Sequence, residues 1–210
     1  MTPAITAPPD WEKTLAAFAE ATRWYQDVLA QVGDRWEEPG LGEWDVRALA
    51  GHTSRSLLTV ETYLGQPADA VVVASTVDYY LATRQIAAGP DVAQRGRDAG
   101  QALGDDPVAA VATIASRVLP LVAGLGGTEL LTTIAGGMRI SDYLPSRVFE
   151  LVVHTADLAA ALGVPTEPPP GPAALALGLV SDLAIAGRHA ATVLLATTGR
   201  RGLPPGFTLL

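Results

Sequence analysis

The sequence predicts a mainly all-α fold, a four-helix bundle with long connections and one small β-hairpin. Three observations support this prediction. Apolar residues recur at steps of three and four in several long segments, which is the spacing of one face of a helix. Glycine or proline follows most of these segments, as expected at helix ends. The connections between the segments are long and varied, so simple up-and-down hairpins are not expected.

The first two predicted helices cover residues 11–32 and about 44–64. Their apolar faces are formed by Leu15, Phe18, Tyr25, Leu29 and Val32 in the first, and by Val46, Leu49, Thr53, Leu57, Val60 and Leu64 in the second. Gly33 ends the first helix, and Gly65 with Pro67 ends the second. Residues 37–42, which are rich in glycine and proline, are predicted to form a loop.

The middle of the chain gives less uniform signals. Residues 71–73 are three valines that favour a strand, whereas residues 79–88 indicate a helix, which Gly89 and Pro90 would end. A short helix is predicted over 91–103. The next helix is predicted to begin at Pro107, with Asp106 as its N-cap, and to end near residue 123. In residues 128–140, β-forming residues on both sides of Gly136-Gly137 predict a small hairpin.

Two more helices are predicted in the last third of the chain, over about 145–162 and 173–197. The proline-rich residues 164–172 between them form the clearest linker in the sequence, and residues 199–210 are predicted to be an extended tail. Since too little chain follows the linker to bury a second core, residues 1–210 are expected to form a single domain.

Composition and charge exclude several classes of function. The formal net charge of −8 argues against nucleic-acid binding and against an anionic membrane surface. The sequence shows no apolar run of the length of about 18 residues that a transmembrane helix needs, and no signal peptide. The chain has no cysteine, which excludes disulfides, thiolate metal sites and a cysteine nucleophile. We therefore expect a cytoplasmic protein, monomeric or homodimeric, that acts on a small molecule.

The polar residues of the predicted helix 145–162 fall on one stripe of an otherwise apolar helix. They are Arg147, Glu150, His154 and Asp157, at steps of three, four and three. Glu150 and His154 are i,i+4 neighbours that can bind the same ion, and imidazole and carboxylate suit zinc and other first-row divalent metals. The alternative is that the stripe is an ordinary solvated helix face, with Arg147 and Glu150 as an exposed ion pair.

The other two histidines of the chain are His52 and His189. His52 lies beside the apolar face of the second predicted helix, on a flank that can face a neighbouring helix. The alternative is a partly buried histidine bonded to a backbone carbonyl group. His189 is interpreted as a structural or surface residue. The sequence contains no nucleophile elbow, P-loop or dinucleotide-binding fingerprint.

Three stretches of the chain together resemble a known protein family. They are Trp44 to His52, with the pattern W-x-V-x-x-L-x-x-H; Arg84 to Gly89; and Ser146 to Leu158, with the pattern E-x-x-x-H. The chain resembles the metal-binding N-terminal domain of the mycothiol-dependent maleylpyruvate isomerases, which belong to the wider group of DinB-like four-helix bundles. Residues 194–207 also resemble the end of such domains, so the resemblance covers nearly the whole chain.

The resemblance implies a metal site and a cofactor. In this family a histidine, a glutamate and a histidine bind one zinc ion, and these positions correspond to His52, Glu150 and His154. The isomerases also use an arginine at the position that Arg84 matches, and mycothiol, a low-molecular-weight thiol, as cofactor. The true isomerase carries a second, C-terminal domain that adds to its active site, and this chain is expected to end where the first domain ends.

The leading hypothesis is a metal-dependent enzyme, a thiol-linked isomerase or transferase that acts on a small electrophilic or acidic substrate. Arg84 would bind a substrate carboxylate, and Arg147 or Asp157 would orient metal ligands. Two alternatives stay open. One is a non-catalytic helical module that binds a metal or another ligand, and the other is a bundle without any metal.

Overall fold

The computed structural model describes residues 10–87 and 92–210, and within them the side chains of 85–87 are outside the description. The predicted break at Gly89 and Pro90 and the predicted absence of a signal peptide therefore concern residues outside the described ranges. All candidate site residues named above lie inside them.

The described residues form eight α-helices and two short antiparallel strand pairs. The helices are α1 (Trp11–Leu29), α2 (Val46–Leu64), α3 (Thr76–Ala87), α4 (Val92–Ala102), α5 (Pro107–Ala123), α6 (Ile140–Leu162), α7 (Pro170–Ala186) and α8 (Ala190–Thr197). The strand pairs are β1 (Pro39–Leu41) with β2 (Trp44–Asp45), and β3 (Leu130–Thr133) with β4 (Gly136–Arg139). The predicted fold class, mainly all-α with a small β-hairpin, is confirmed.

Four of the helices, α1, α2, α5 and α6, surround a common core. Helix α1 contacts α5 and α6, and α2 contacts the same two helices from the other side. The interior consists of large, fully buried side chains, among them Phe18, Tyr25, Leu49, Leu57, Leu144, Leu151 and Leu158. The remaining helices cover this bundle: α4 packs on α2, α7 packs on α1 and α6, and α3 packs on α6 and α7.

Local chemistry explains where these helices begin and end. The carboxylate of Asp45 accepts a hydrogen bond from the amide of Ala48 at 2.7 Å and caps α2. Asp106 caps α5 in the same way, as predicted from its position before Pro107. Helix α6 ends at Gly163, whose φ of 65° is the left-handed conformation that glycine adopts without strain.

The structure corrects three predicted boundaries. Helix α6 begins at Ile140, one and a half turns before Pro145, which lies inside its N-terminal part. The predicted helix 173–197 is two helices, because Arg188 has a positive φ of 59° between α7 and α8. The predicted loop 37–42 contains strand β1.

Two β predictions also differ in detail. Residues 71–73 form no strand; instead, the amides of Val72 and Val73 both donate to the carbonyl oxygen of Gly137. In the predicted hairpin the turn lies at residues 134–135, and Gly136 is the first residue of β4.

Among the residues that the structure describes, no individual helix has both the length and the apolar character needed to cross a membrane. By length and composition alone, the sharply bent pair of Val92–Ala102 and Pro107–Ala123 passes that test as a unit.

Glycines allow α4 to approach α2 closely. A Cβ atom at Gly51 would overlap the backbone of Gly100, and a Cβ atom at Gly96 would overlap the indole ring of Trp44. Trp44 also donates a hydrogen bond from Nε1 to the carbonyl oxygen of Ala93 at 3.0 Å. The close crossing therefore fixes the position of Trp44, which lies between α4 and the beginning of α2.

We expect Gly51→Ala to lower the free energy of unfolding by about 1–3 kcal/mol, because the added methyl group meets backbone that cannot rotate away. Gly178→Ala is the matched control, since a Cβ atom on this exposed position of α7 meets nothing within 4 Å. The control should leave stability unchanged or raise it by up to about 1 kcal/mol through helix propensity. Urea denaturation of both variants measures the difference, and equal effects would contradict the close crossing.

Candidate metal centre

His52 of α2 meets Glu150 and His154 of α6 across the interface between the two helices. One ligating atom from each of the three side chains lies within 4.8 Å of the others. The Nε2 atom of His154 is 3.2 Å from Oε2 of Glu150, and the ring centroids of His52 and His154 are 4.8 Å apart. The structure therefore brings together the three residues that the sequence predicted as metal ligands.

The packing of α6 explains why its polar stripe is not an ordinary solvent face. Val148, Leu151 and Leu158 are fully buried on the side of α6 that faces the bundle core. The stripe lies beside α2 and α3, so that only 22% of the Glu150 side chain and 16% of the His154 side chain remain exposed. The alternative of a fully solvated stripe does not fit this burial.

His52 has an unusual environment for a histidine that only fills space. Its ring stacks on Trp44, with 4.4 Å between the ring centroids. Its Nδ1 atom is buried and has no hydrogen-bond partner in the described part of the chain. Since buried polar atoms nearly always have a partner, this nitrogen does not fit the alternative of a histidine tied to a backbone carbonyl through Nδ1.

Two further side chains hold the acidic and basic groups of the cluster in place. Tyr80 of α3 donates a hydrogen bond to Oε1 of Glu150 at 2.7 Å. Asp157, one turn beyond His154, lies 3.3 Å from Nδ1 of its ring and orients the imidazole. The sequence patterns do not identify Tyr80 as a residue of the site. One signal was available, since Tyr80 lies one turn before Arg84 on the same predicted helix.

Burial and charge give the three residues of the cluster different protonation states. Burial raises the pKa of Glu150, but the hydrogen bond from His154 and the charge of Arg147 outweigh it and lower the pKa to about 2. Burial lowers the pKa of His154, but its hydrogen bonds with Asp157 and Glu150 raise the pKa to about 9. For His52, burial and the positive charge of His154 together lower the pKa to about 4.

At neutral pH this cluster thus contains one carboxylate, one neutral imidazole and one imidazolium. The carboxylate and the neutral ring of His52 have free lone pairs for a cation. His154 contributes a lone pair once it releases its proton, which a divalent ion at the same position would favour.

Two other sequence-predicted residues lie outside the cluster. Arg84 is exposed on α3, one turn after Tyr80, and its Nη2 atom donates to the carbonyl oxygen of Leu209 at 2.9 Å. Its predicted role in binding a substrate carboxylate stays a prediction. His189 is exposed at the N-cap of α8, with its ring 5.4 Å from that of Phe207, and its predicted surface position is confirmed.

In the presence of a chelator, we expect His52 to make folding less favourable in mild acid. Because the folded pKa of about 4 lies below the ordinary value of 6.5, its contribution to stability is present above pH 6.5 and is lost as the pH falls toward 4. The free energy of unfolding should drop by about 2 kcal/mol more in the parent chain than in His52→Gln between about pH 7 and pH 5.

The matched control for this measurement is His189→Gln, which removes an exposed histidine and should follow the parent chain. His154 does not obscure the comparison, since its raised pKa gives a contribution that is fully present below pH 6.5 and is lost only as the pH rises through about 9. Parallel curves for the parent chain and His52→Gln would contradict the burial of a neutral His52.

The chain was compared with known protein families, with curated proteins and with solved structures. The family model described as "Mycothiol maleylpyruvate isomerase N-terminal domain" matches residues 17–159, a stretch that runs from α1 into α6 and contains His52, Arg84, Glu150 and His154. No curated protein and no solved structure matches the chain. The helical bundle is consistent with the DinB-like superfamily. Since the match covers more than half of the 210 residues, the chain belongs to the mycothiol maleylpyruvate isomerase N-terminal domain family.

Proposed function

We propose that this chain is a metal-dependent enzyme domain in which His52, Glu150 and His154 bind one divalent ion, zinc or another first-row metal. Mycothiol or a similar thiol would be its cofactor, and a small electrophilic or acidic molecule its substrate. The reaction would be a thiol-linked isomerisation or transfer. Family membership supports a mycothiol-related isomerase-type domain. The observation that most supports the metal is the approach of three ligating atoms to within 4.8 Å of one another.

The donor set fits a catalytic metal. Two imidazoles and one carboxylate are a ligand set found in catalytic zinc sites, where the fourth position is left to water or substrate. A buried Nδ1 atom without a hydrogen-bond partner, as in His52, suits a ring that uses its nitrogens for a metal rather than for the protein. The partial burial of all three side chains would keep competing water away from the ion.

In this proposal, the residues beside the cluster orient the metal ligands or bind the substrate. When bound, the metal supplies Lewis acidity that lowers the pKa of a thiol or a water molecule. Tyr80 holds the carboxylate of Glu150, and Asp157 holds the ring of His154, so that both present one orientation to the ion. Arg84 would bind a substrate carboxylate in place of the neutral Leu209 carbonyl, since a charged acceptor forms the stronger hydrogen bond.

The remaining parts of the proposal concern the protein as a whole. Residues 1–210 would act as one metal-binding domain, monomeric or homodimeric, located in the cytoplasm and without a nucleic-acid or membrane partner. The net charge of −8 supports the last of these points.

We expect protein purified without a histidine tag to contain about one divalent ion per chain, and we expect His52→Ala, Glu150→Ala and His154→Ala each to lose most of it. Two ligands bind an ion much more weakly than three, so each loss should exceed tenfold in affinity. Elemental analysis and titration with zinc measure both quantities.

Two control variants show whether these losses are specific. His189→Ala should keep the full metal content, because His189 is exposed and lies outside the cluster. Asp157→Ala should weaken binding less than Glu150→Ala, because among the described residues the polar contact of Asp157 is with the ring of His154 and not with the ion's position. A parent chain that binds no zinc would refute the proposed metal site.

Mycothiol should change the visible absorption bands of the cobalt-substituted protein, because a thiolate that enters the fourth coordination position alters the ligand field. The S-methylated thiol, which forms no thiolate, is the control and should leave the spectrum unchanged. An unchanged spectrum at millimolar mycothiol, combined with a chelator effect on melting temperature alone, would favour the non-catalytic module.

A further inference from the structure

Arg147 is the charged residue of the α6 stripe that the candidate metal centre does not use. It is partly buried, and its guanidinium carbon lies 5.0 Å from the ring centroid of Tyr143 and 5.6 Å from that of Tyr79. Both rings attract the cation through their π-electrons, and they fix its position. They do not offer oxygen acceptors to its N–H groups in these contacts.

Most of the hydrogen-bonding capacity of Arg147 is unused. Its Nε atom donates to Oγ of Ser146 at 3.0 Å, and neither Nη atom has a hydrogen-bond partner among the described residues. Neither Nη atom is fully buried, so each keeps some contact with solvent. Up to four N–H donors of a guanidinium that is held in place are therefore available to a ligand.

No carboxylate of the described residues forms an ion pair with Arg147. Glu150, the nearest candidate on α6, uses Oε1 for the hydroxyl group of Tyr80 and Oε2 for His154. The charge of Glu150 stabilises the guanidinium without an ion-pair contact, and a ligand carboxylate that contacts the Nη groups would add charge-assisted hydrogen bonds. Arginine is suited to this role because its planar fork matches the two oxygens of a carboxylate.

The position of Arg147 places such a ligand beside the cluster. Arg147 lies one turn before Glu150 on α6, on the same stripe. Burial, His154 and Arg55 lower the pKa of His52, and the charge of Arg147 adds to this effect. For Glu150, burial raises the pKa, whereas the hydrogen bond from His154 and the charge of Arg147 lower it. The field of Arg147 thus reaches both helices of the site.

We infer that Arg147 is an anion-binding residue of this site, in addition to Arg84: its Nη groups bind the carboxylate of a small ligand in a bidentate contact, with Tyr79 and Tyr143 holding the guanidinium in place. The inference deepens the proposed function and rests on it, since it assumes that a small molecule enters the site. It assigns to Arg147 the selection of anionic over neutral ligands.

The test is a titration of the nitrogen-15-labelled full chain with sodium acetate, followed through the Nε–Hε signal of Arg147. Ionic strength is kept constant with sodium chloride, and acetamide, which has the same shape without the charge, is the matched ligand control. We expect acetate to shift the signal to a plateau and acetamide to leave it in place. A shift that keeps rising without a plateau as the acetate concentration reaches tens of millimolar would overturn the inference.

Variants separate ligand binding from a purely structural role of Arg147. Arg147→Lys keeps the charge and loses the bidentate fork, so it should weaken acetate binding by about tenfold, as followed through the backbone amides of α6. Arg55→Gln removes an exposed cation whose charge also reaches His52 and should change binding less than about twofold. Equal acetate affinities of Arg147→Lys and the parent chain would overturn the inference. If Arg147→Lys does not fold, the titration of the parent chain decides.

Zinc stoichiometry measured on the same preparation distinguishes this inference from the proposed function. Saturable acetate binding to a chain that takes up no zinc would remove the metal and keep the role of Arg147. Zinc binding without saturable acetate binding would keep the metal and remove the role of Arg147.

Discussion

The packing of α6 against α1, α2 and α3 determines where the polar groups of the site lie. A helix that is apolar nearly all round must be covered nearly all round, so its one polar stripe is covered as well. Glu150 and His154 therefore give up most of their hydration, which is unfavourable unless hydrogen bonds replace it. Tyr80 forms such a bond with Glu150, and Asp157 forms one with His154. Each bond also holds the side chain of the cluster in one orientation.

The second support of the site comes from α4, which packs on α2. Its glycines allow it to lie directly on α2 and on the indole ring of Trp44. Trp44 in turn stacks on His52, so the close crossing of α4 and α2 limits the movement of the imidazole ring on the side of Trp44. The position of the ring thus depends on backbone-to-backbone contact at Gly51, the residue before His52. The geometry of the site therefore requires small residues at the crossing of α4 and α2.

Local patterns in the sequence predict most of the helices and the pairing of Glu150 with His154, since periodicity, caps and i,i+4 spacing are properties of neighbouring residues. His52 lies on a different helix and joins the predicted site only through the family resemblance. Two contacts of the site could not be predicted for the same reason. The contact of Tyr80 with Glu150 and that of Arg84 with Leu209 join residues far apart in the chain, and no local pattern encodes them. Helix α6 begins at Ile140 and not near residue 145, and the burial of Ile140, Tyr143 and Leu144 keeps the turn before Pro145 helical.

Helix α3 has hydrogen bonds at both ends of one helical turn. Tyr80 is bound to Glu150, and Arg84, four residues later, is bound to the carbonyl oxygen of Leu209. Residues four apart lie on the same side of a helix, about 6 Å from each other. A rotation of α3 about its axis would therefore break both contacts together. A movement of the last residues of the described chain that turned α3 would therefore also disturb the bond between Tyr80 and the carboxylate of Glu150.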